Sequence, residues 1–347
     1  MKAAVLHGPN DLRIEDIPIP RIESDEVLIK VGATGICGSD LPRVLETGAH
    51  FYPMVLGHEF AGEIVEKGAD VLNLAIGDRV AGAPLIPCHA CLDCAQGYYA
   101  QCKNYKFIGS HVFGSWAEYV KAPARNAFKL PAGVNAEQGA FFEPVTVALH
   151  DLFVMDFRGG TDVAVVGVGT IGLLALACAR LLGAKRIFAM DINEERLALA
   201  RELGADVCLD TEGEGFKAAV NRETGGRGFP QVIEACGAEA TIKLSLEIAG
   251  NRGDVMLIGT PAKNLTFSPR EFEQLNRKEL TERGSWMSYS APFPGKEWEL
   301  AGYYFAQGLL RVERLIDRVA PLEQIGGIFE EFRRPGAIKG KVLLTPA

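Results

Sequence analysis

The stretch VAVVGVGTIGLLALA, residues 163–177, decides the fold of this chain. It carries no charge, and it changes character at its middle. Val163–Val166 is mostly β-branched, as befits a strand buried on both faces. Leu173–Ala177 is a run of good helix formers. Between them Gly167, Gly169 and Gly172 stand in the spacing G-x-G-x-x-G, with Ile171 inside the pattern. A membrane span needs about 20 apolar residues, and three glycines at a change of residue type argue for a strand, a turn and a helix instead. The spacing alone is a weak signal. Its place after a strand-like run and at the start of a helix-like run makes it a dinucleotide fingerprint. The glycines permit a tight turn and the close approach of a pyrophosphate to the helix N-terminus. The next strand-like run, RIFAMDI, carries Asp191. A carboxylate there accepts hydrogen bonds from ribose hydroxyls and repels a 2′-phosphate, so NAD is expected over NADP. Arg196 follows two glutamates and is expected to face the adenosine or solvent. An α/β domain without a nucleotide is the plain alternative.

Outward from this stretch, residues 148–282 alternate strand-like and helix-like runs, among them LLALACARLLG, RIFAMDI, EERLALARELG, QVIEACG and DVMLIG. Such alternation implies βαβ units and a doubly wound parallel sheet. Residues 1–147 read as short strands and loops, broken by turn signals such as HGPND and EKGAD. Residues 283–347 return to mixed structure and end in the strand-like GKVLLTP. A chain that leaves one style and comes back to it suggests a nested domain. Its 347 residues suffice for two domains, and 48% hydrophobic with 23% charged residues fits a globular protein with full cores. The net charge of -8 argues against a broad nucleic-acid or anionic-membrane surface. The opening MKAAVLHGPNDLRIED lacks a basic segment followed by an apolar core. No secretory signal is expected, and the reducing cytoplasm is the expected compartment.

PCHACLDCAQGYYAQC, residues 87–102, spaces Cys88, Cys91, Cys94 and Cys102 as C-x2-C-x2-C-x7-C. Four thiols so arranged can surround one tetrahedral ion. Zinc is expected ahead of an iron–sulfur cluster, with four free thiols as the remaining reading. Four protein ligands leave no open position, so the lobe at about 86–103 is expected to staple a loop and not to do chemistry. His89 is expected to be an exposed loop residue. Cys178, Cys208 and Cys236 are expected to be small core residues.

An open site must be sought elsewhere. GICGSD holds Cys37, LGHEFAGEI holds His58 and Glu59, and FFEPVTVALH holds Glu143. Each alone is weak, since a lone cysteine or histidine is more often structural. Yet Cys37 and His58 both adjoin glycine at the loop-like ends of apolar segments, and Glu143 is a carboxylate in an apolar run. Burying that carboxylate alone is costly, and a metal would serve it. Cysteine, histidine and carboxylate make three ligands and leave one position for water or substrate.

With GxCGSD around Cys37, LGHEF.G around His58, the four-cysteine lobe, Glu143–Pro144 and the glycine fingerprint in this order, the chain resembles the zinc-containing medium-chain dehydrogenases. The glutamate–proline version of the third ligand is similar to the polyol-dehydrogenase branch. CGSDLPRV, GAHFYPMVLGHEF, FIGS and RKELTERGSWMSYSAPFPGKEWE narrow the likeness to enzymes of a phosphorylated hexitol. The resemblance implies a GroES-like β-barrel catalytic domain, a Rossmann domain, and a C-terminal return to the first. It also implies an active site in the cleft between domains, a homodimer or homotetramer, and two zinc ions per chain. The reaction implied is oxidation of a secondary hydroxyl, with a catalytic zinc on Cys37, His58 and Glu143 and hydride passing to NAD.

Ser39 matches the family's proton-relay hydroxyl, and it is equally placed to cap a helix together with Asp40. Glu59 matches a carboxylate behind the metal ligands. Two departures stand out. Sorbitol-type enzymes carry a relay histidine where this chain has Pro42, so the proton must leave by His50 or solvent. They also carry Arg-Tyr where this chain has Trp286–Met287, which makes Trp286 a candidate substrate residue. Arg43 and Lys296 are candidate cations for a phosphate, against the plain reading of solvated surface charges. The competing readings are a dehydrogenase of a free polyol or of another secondary alcohol, such as sorbitol, threonine or butanediol, and a catalytically silent relative that binds NAD and zinc.

Overall fold

Val163–Val166 is fully buried, and its strand, Asp162–Val166, lies at the centre of a six-stranded sheet. In spatial order the strands are Val207–Asp210, Arg186–Asp191, Asp162–Val166, Phe229–Glu234, Ala249–Leu257 and Thr281–Gly284, each parallel to its neighbours. The chain order reverses between Asp162–Val166 and Phe229–Glu234. That reversal opens the crevice where open α/β sheets bind ligands. Phe188, Met190, Phe229, Val232 and Leu246 pack one core of this sheet. The structure, a computed structural model, describes residues 1–334 and 336–346.

The chain divides into two compact units, Val147–Ser288 and the discontinuous Met1–Thr146 with Tyr289–Ala347. The first boundary falls inside the helix Phe142–Val154. The second lies beyond residue 282, because the polar strand Thr281–Gly284 is held by backbone pairing to Asp254–Leu257. Its side chains give no alternation that would announce a strand.

The discontinuous unit is organised around Glu26–Gly35, whose apolar side chains are buried. This strand pairs antiparallel with Glu59–Lys67 and Tyr119–Pro123, and through Thr34 and Gly35 with Lys341–Thr345. The last pairing gives the return of the C-terminal segment its physical reason: Val342 and Leu344 complete a core with Met54, Leu56, Trp116 and Phe329. A second core gathers Val27, Ile29, Phe60, Ile64 and Val80. The architecture matches the fold class expected from the sequence, an antiparallel β domain with a doubly wound α/β domain nested in it. No helix among the described residues is long and apolar enough to cross a membrane.

Candidate active site

In the discontinuous unit, Gly35 sits directly opposite Glu59 across two paired strands. Cys37 lies just past the end of one strand and His58 just before the start of the other, so pairing alone brings them together. Gly57 turns the chain into His58 with φ +93, and a Cβ there would lie 2.4 Å from the Trp116 ring. Ligand atoms of Cys37, His58 and Glu59 all lie within 4.8 Å of one another. Glu143, near the start of the helix Phe142–Val154, stands outside that group of three, but its carboxyl feels the charges of His58, Glu59, Lys341 and Asp40.

The surroundings of this group are polar and buried. Lys341 lies 2.7 Å from Glu59 Oε1, and its Nζ also donates to the Ile36 carbonyl. Asp40 is fully buried; its Oδ2 accepts the Cys37 N–H, and its Oδ1 is 3.7 Å from His58 Nδ1. Burial pushes the Cys37 thiol up to about 12, with the Glu59 carboxylate adding to the rise. Burial likewise pushes the Glu143 carboxyl up to about 7; His58 opposes this and Glu59 reinforces it. Burial disfavours the Lys341 ammonium, but Glu59 and Cys37 outweigh it and raise its pKa.

These residues fit a cation. His58 Nδ1 and Glu59 Oε2 are buried without hydrogen-bond partners, an arrangement that costs stability unless something else binds there. A thiol faced by two carboxylates gains a counter-charge from a metal ion, which deprotonates it outright. Cysteine, histidine and carboxylate are zinc ligands, and three of them leave a coordination position open.

Cys88, Cys91, Cys94 and Cys102 form the second group of this kind, with sulfur atoms within 4.8 Å of one another. The backbone N–H groups of Ala90 and Cys91 hold the Cys88 thiol down to about 6. Burial pushes the Cys94 thiol up to about 12. Four sulfurs this close together suit a closed tetrahedral site. His89 is exposed at φ +52, its ring against Tyr99 and Phe293.

In the α/β unit, a cavity of about 700 Å³ opens along the glycine-rich turn. Gly167, Gly169, Asp191, Arg196, Thr211 and Thr241 are among its lining residues. The three glycines do different work. Gly167 has φ +86, a Cβ on Gly172 would lie 2.0 Å from the Gly167 carbonyl oxygen, and a Cβ on Gly169 would meet nothing within 4 Å. The open space at Gly169, at the head of the helix Thr170–Leu181, suits a phosphate. Ile171 is half-buried on that first turn. Asp191 Oδ2 accepts the Val168 N–H at 2.9 Å and Oδ1 accepts the Asn193 N–H at 2.9 Å, so the acid also braces the turn. Arg196 is exposed, with Nη1 3.8 Å from Asp191 Oδ2. This cavity fits a dinucleotide in size and chemistry.

Ser39 does not cap the helix Asp40–Leu45; its hydroxyl donates to Cys37 Sγ at 3.3 Å. Arg43 lies on that helix, 3.9 Å from Asp40. Lys296 is exposed at the start of the helix Lys296–Ala306, and Trp286 is exposed in the other unit. Cys178 is buried, and Cys208 is half-buried. Cys236 corrects the expectation of a core residue: it is exposed and lines the cavity, because it follows the strand Phe229–Glu234 and does not belong to it. Glu234 fixes that loop through Oε1, which accepts from Cys236 N, Gly237 N and Thr241 Oγ1. Sequence reasoning missed Lys341, which stands in no motif and meets Glu59 only in three dimensions, and Glu234, whose contacts are local but follow no motif.

Residues 23–132 match the alcohol dehydrogenase GroES-like domain family, and residues 170–301 match the zinc-binding dehydrogenase family. The chain is 42% identical to the galactitol 1-phosphate 5-dehydrogenase of Escherichia coli K12, over all of both chains. The crystal structure of galactitol-1-phosphate dehydrogenase from Escherichia coli superposes with a TM-score of 0.95, at 41% identity over all of both chains. An alcohol dehydrogenase of Escherichia coli CFT073 in complex with NADH is 28% identical, with a TM-score of 0.90 over 99% of each chain. A protein of Sinorhizobium meliloti 1021 bound to NADP is 31% identical, with a TM-score of 0.89 over 99% of each chain.

Proposed function

The chain belongs to the zinc-binding alcohol dehydrogenase family, and from that premise we propose that it oxidises one secondary hydroxyl of galactitol 1-phosphate to a ketose phosphate, with hydride passing to NAD. The observation that carries this reading is the convergence of Cys37, His58 and Glu59 within 4.8 Å of one another, with Glu59 Oε2 buried and unpaired among them. Zinc held there would polarise the substrate hydroxyl and lower its pKa.

Two carboxylates compete to complete the ligand set. The charge of Glu59 is already matched by Lys341 at 2.7 Å. Glu143 has no ion-pair partner among the described residues, and burial raises its pKa to about 7 although the charges of His58 and Lys341 oppose the rise. It gains more from a cation, so we assign Cys37, His58 and Glu143 as ligands and Glu59 as the carboxylate behind them. Ser39 is the hydroxyl beside Cys37, and it is exposed. A proton accepted at its Oγ passes directly to solvent, so the relay does not need the histidine that Pro42 replaces. The second zinc belongs to Cys88, Cys91, Cys94 and Cys102, where it braces the lobe.

The cofactor reading rests on Asp191. Its carboxylate borders the cavity and is held by two backbone N–H groups, so it cannot swing away from a 2′-phosphate. Arg196, already facing that carboxylate, offers a weakened counter-charge. A homodimer or homotetramer in the cytoplasm completes the reading.

The test is NAD reduction with galactitol 1-phosphate, galactitol, sorbitol and threonine, with and without a chelator. Chelator-sensitive turnover that strongly favours the phosphate ester is expected. Turnover of an unphosphorylated alcohol alone would remove the assigned substrate and leave the zinc chemistry standing.

A further inference from the structure

Three basic side chains from three separate segments converge beside the Cys37–His58 group. Arg43 comes from the helix Asp40–Leu45, His50 from the loop that follows it, and His111 from the loop after the strand Lys106–Phe107. The His50 and His111 rings stack with centroids 4.8 Å apart and planes at 26°. Tyr105 meets His111 edge-on, with ring centroids 5.3 Å apart. Arg43 is close enough for its charge to depress the His111 pKa, after burial and His50.

Among the described residues, no acid other than Asp40 is paired with this cluster. The acid that faces Arg43 is Asp40, at 3.9 Å. That single carboxylate is also committed to the Cys37 N–H and lies 3.7 Å from His58. Arg43 Nη1 and His111 Nδ1 are both buried without a hydrogen-bond partner. Buried nitrogens left without a partner are costly, and the guanidinium among them gains most from an anion. A phosphate monoester carries close to two negative charges at neutral pH and three acceptor oxygens. It suits a guanidinium flanked by imidazoles. Because Asp40 touches both Arg43 and His58, an anion at this cluster adjoins the reacting centre.

We propose that Arg43, His50 and His111 bind the phosphate of the substrate and so set the preference for a phosphate monoester over the free polyol. This rests on the reading of the chain as a dehydrogenase of a phosphorylated hexitol. The phosphate end is held here while the reacting hydroxyl, further along the same carbon chain, reaches Cys37 and His58. Lys296 is not needed for the preference.

The experiment is steady-state kinetics of the full, zinc-loaded chain with NAD, on galactitol 1-phosphate and on galactitol. It compares the wild type with Arg43→Gln, Arg43→Lys and the double variant His50→Gln/His111→Gln. Inorganic phosphate serves as an inhibitor in parallel. In Arg43→Gln and in the double variant, the ratio of kcat/KM between ester and free polyol should fall about tenfold or more, chiefly through KM, as expected for lost hydrogen bonds to a charged group. Arg43→Lys should recover part of the loss. Competitive inhibition of the wild type by inorganic phosphate should weaken by a similar factor in the double variant, whose exposed His50 makes misfolding a small risk.

A ratio unchanged in the folded double variant overturns the proposal. So does a loss of phosphate inhibition with the ratio intact, which would mean a site for free phosphate only. If the wild type shows no preference for the ester, it is the substrate reading that fails. The phosphate arm then judges the cluster independently: inhibition equal in wild type and double variant removes it as an anion site, and inhibition lost in the variant keeps it.

Discussion

The Lys341 ammonium lies 2.7 Å from Glu59 Oε1, with the two side chains 6% and 1% exposed and 282 residues apart in the chain. A buried pair of this kind contributes little net stability, but breaking it strands a charge. Lys341→Met is therefore expected to cost about 3–5 kcal/mol, read from denaturant midpoints. Adding Glu59→Gln should restore part of the loss. A single variant within about 0.5 kcal/mol of the wild type, the usual range for surface changes, would contradict the role.

The four-cysteine lobe and the open site should separate on mutation. Cys94→Ser is expected to release one equivalent of zinc and lower thermal stability, while the folded fraction keeps its dehydrogenase activity. Cys37→Ser should abolish turnover and leave the lobe's zinc in place. Metal analysis beside activity checks both, and a Cys37→Ser variant that still turns over substrate would sink the catalytic assignment.

Asp191→Asn keeps an acceptor oxygen for the Val168 N–H but turns its NH2 toward the Asn193 N–H, so the fold should hold at a cost of about 1 kcal/mol. Loss of the charge should lower kcat/KM for NAD by about tenfold and raise the relative use of NADP. The ratio of kcat/KM for the two cofactors is the quantity to read. An unchanged ratio would move cofactor selection elsewhere, with Arg196 the first candidate.

Two alanine substitutions in the same turn should fail differently. A Cβ at position 172 would lie 2.0 Å from the Gly167 carbonyl oxygen, so Gly172→Ala should destabilise the fold by about 1–3 kcal/mol, as overpacking does. A Cβ at position 169 meets no protein atom within 4 Å, so Gly169→Ala should fold normally and bind NAD more weakly. Thermal melts and calorimetric titration with NAD distinguish the two. Equal losses of stability would refute the distinction.

Asp151 gives a pH dependence. It is 1% exposed in the α/β unit, and both carboxyl oxygens lack a hydrogen-bond partner, although the Ser285 hydroxyl faces them. Burial pushes its pKa up to about 7 from an ordinary 3.8. The folded chain thus holds a proton that the unfolded chain has lost, so stability falls as pH rises from about 4 to 7. The whole penalty is about 4 kcal/mol above that window. Asp151→Asn cannot ionise, and its advantage over the wild type should grow by about 2–3 kcal/mol between pH 5 and pH 8. A difference independent of pH would show that Asp151 is ionised throughout.

The glycine turn, the acid that ends the strand Arg186–Asp191 and the four-cysteine lobe were legible because each is a local pattern. The chemistry of such motifs needs particular residues at short fixed spacings, and spacing survives in a linear reading. The nesting was legible too, since hydrophobic periodicity changes where the chain enters the α/β unit. The edge strand Thr281–Gly284 was not, because backbone pairing defines it and its side chains are polar.

By itself, then, the sequence determined the fold class, the spacing of the four cysteines and the glycine-rich turn, and it pointed to Cys37, His58 and Glu143, where the structure groups Cys37 and His58 with Glu59. Only the tertiary structure decided what surrounds them. It set Lys341 on Glu59, made Asp40 a shared partner of His58 and Arg43, and exposed Cys236 in the cavity along the glycine-rich turn. It also stacked His50 on His111 beside Arg43. These relations join residues from distant segments through strand register and loop packing, and the electrostatics of a buried group depends on neighbours that sequence distance does not encode.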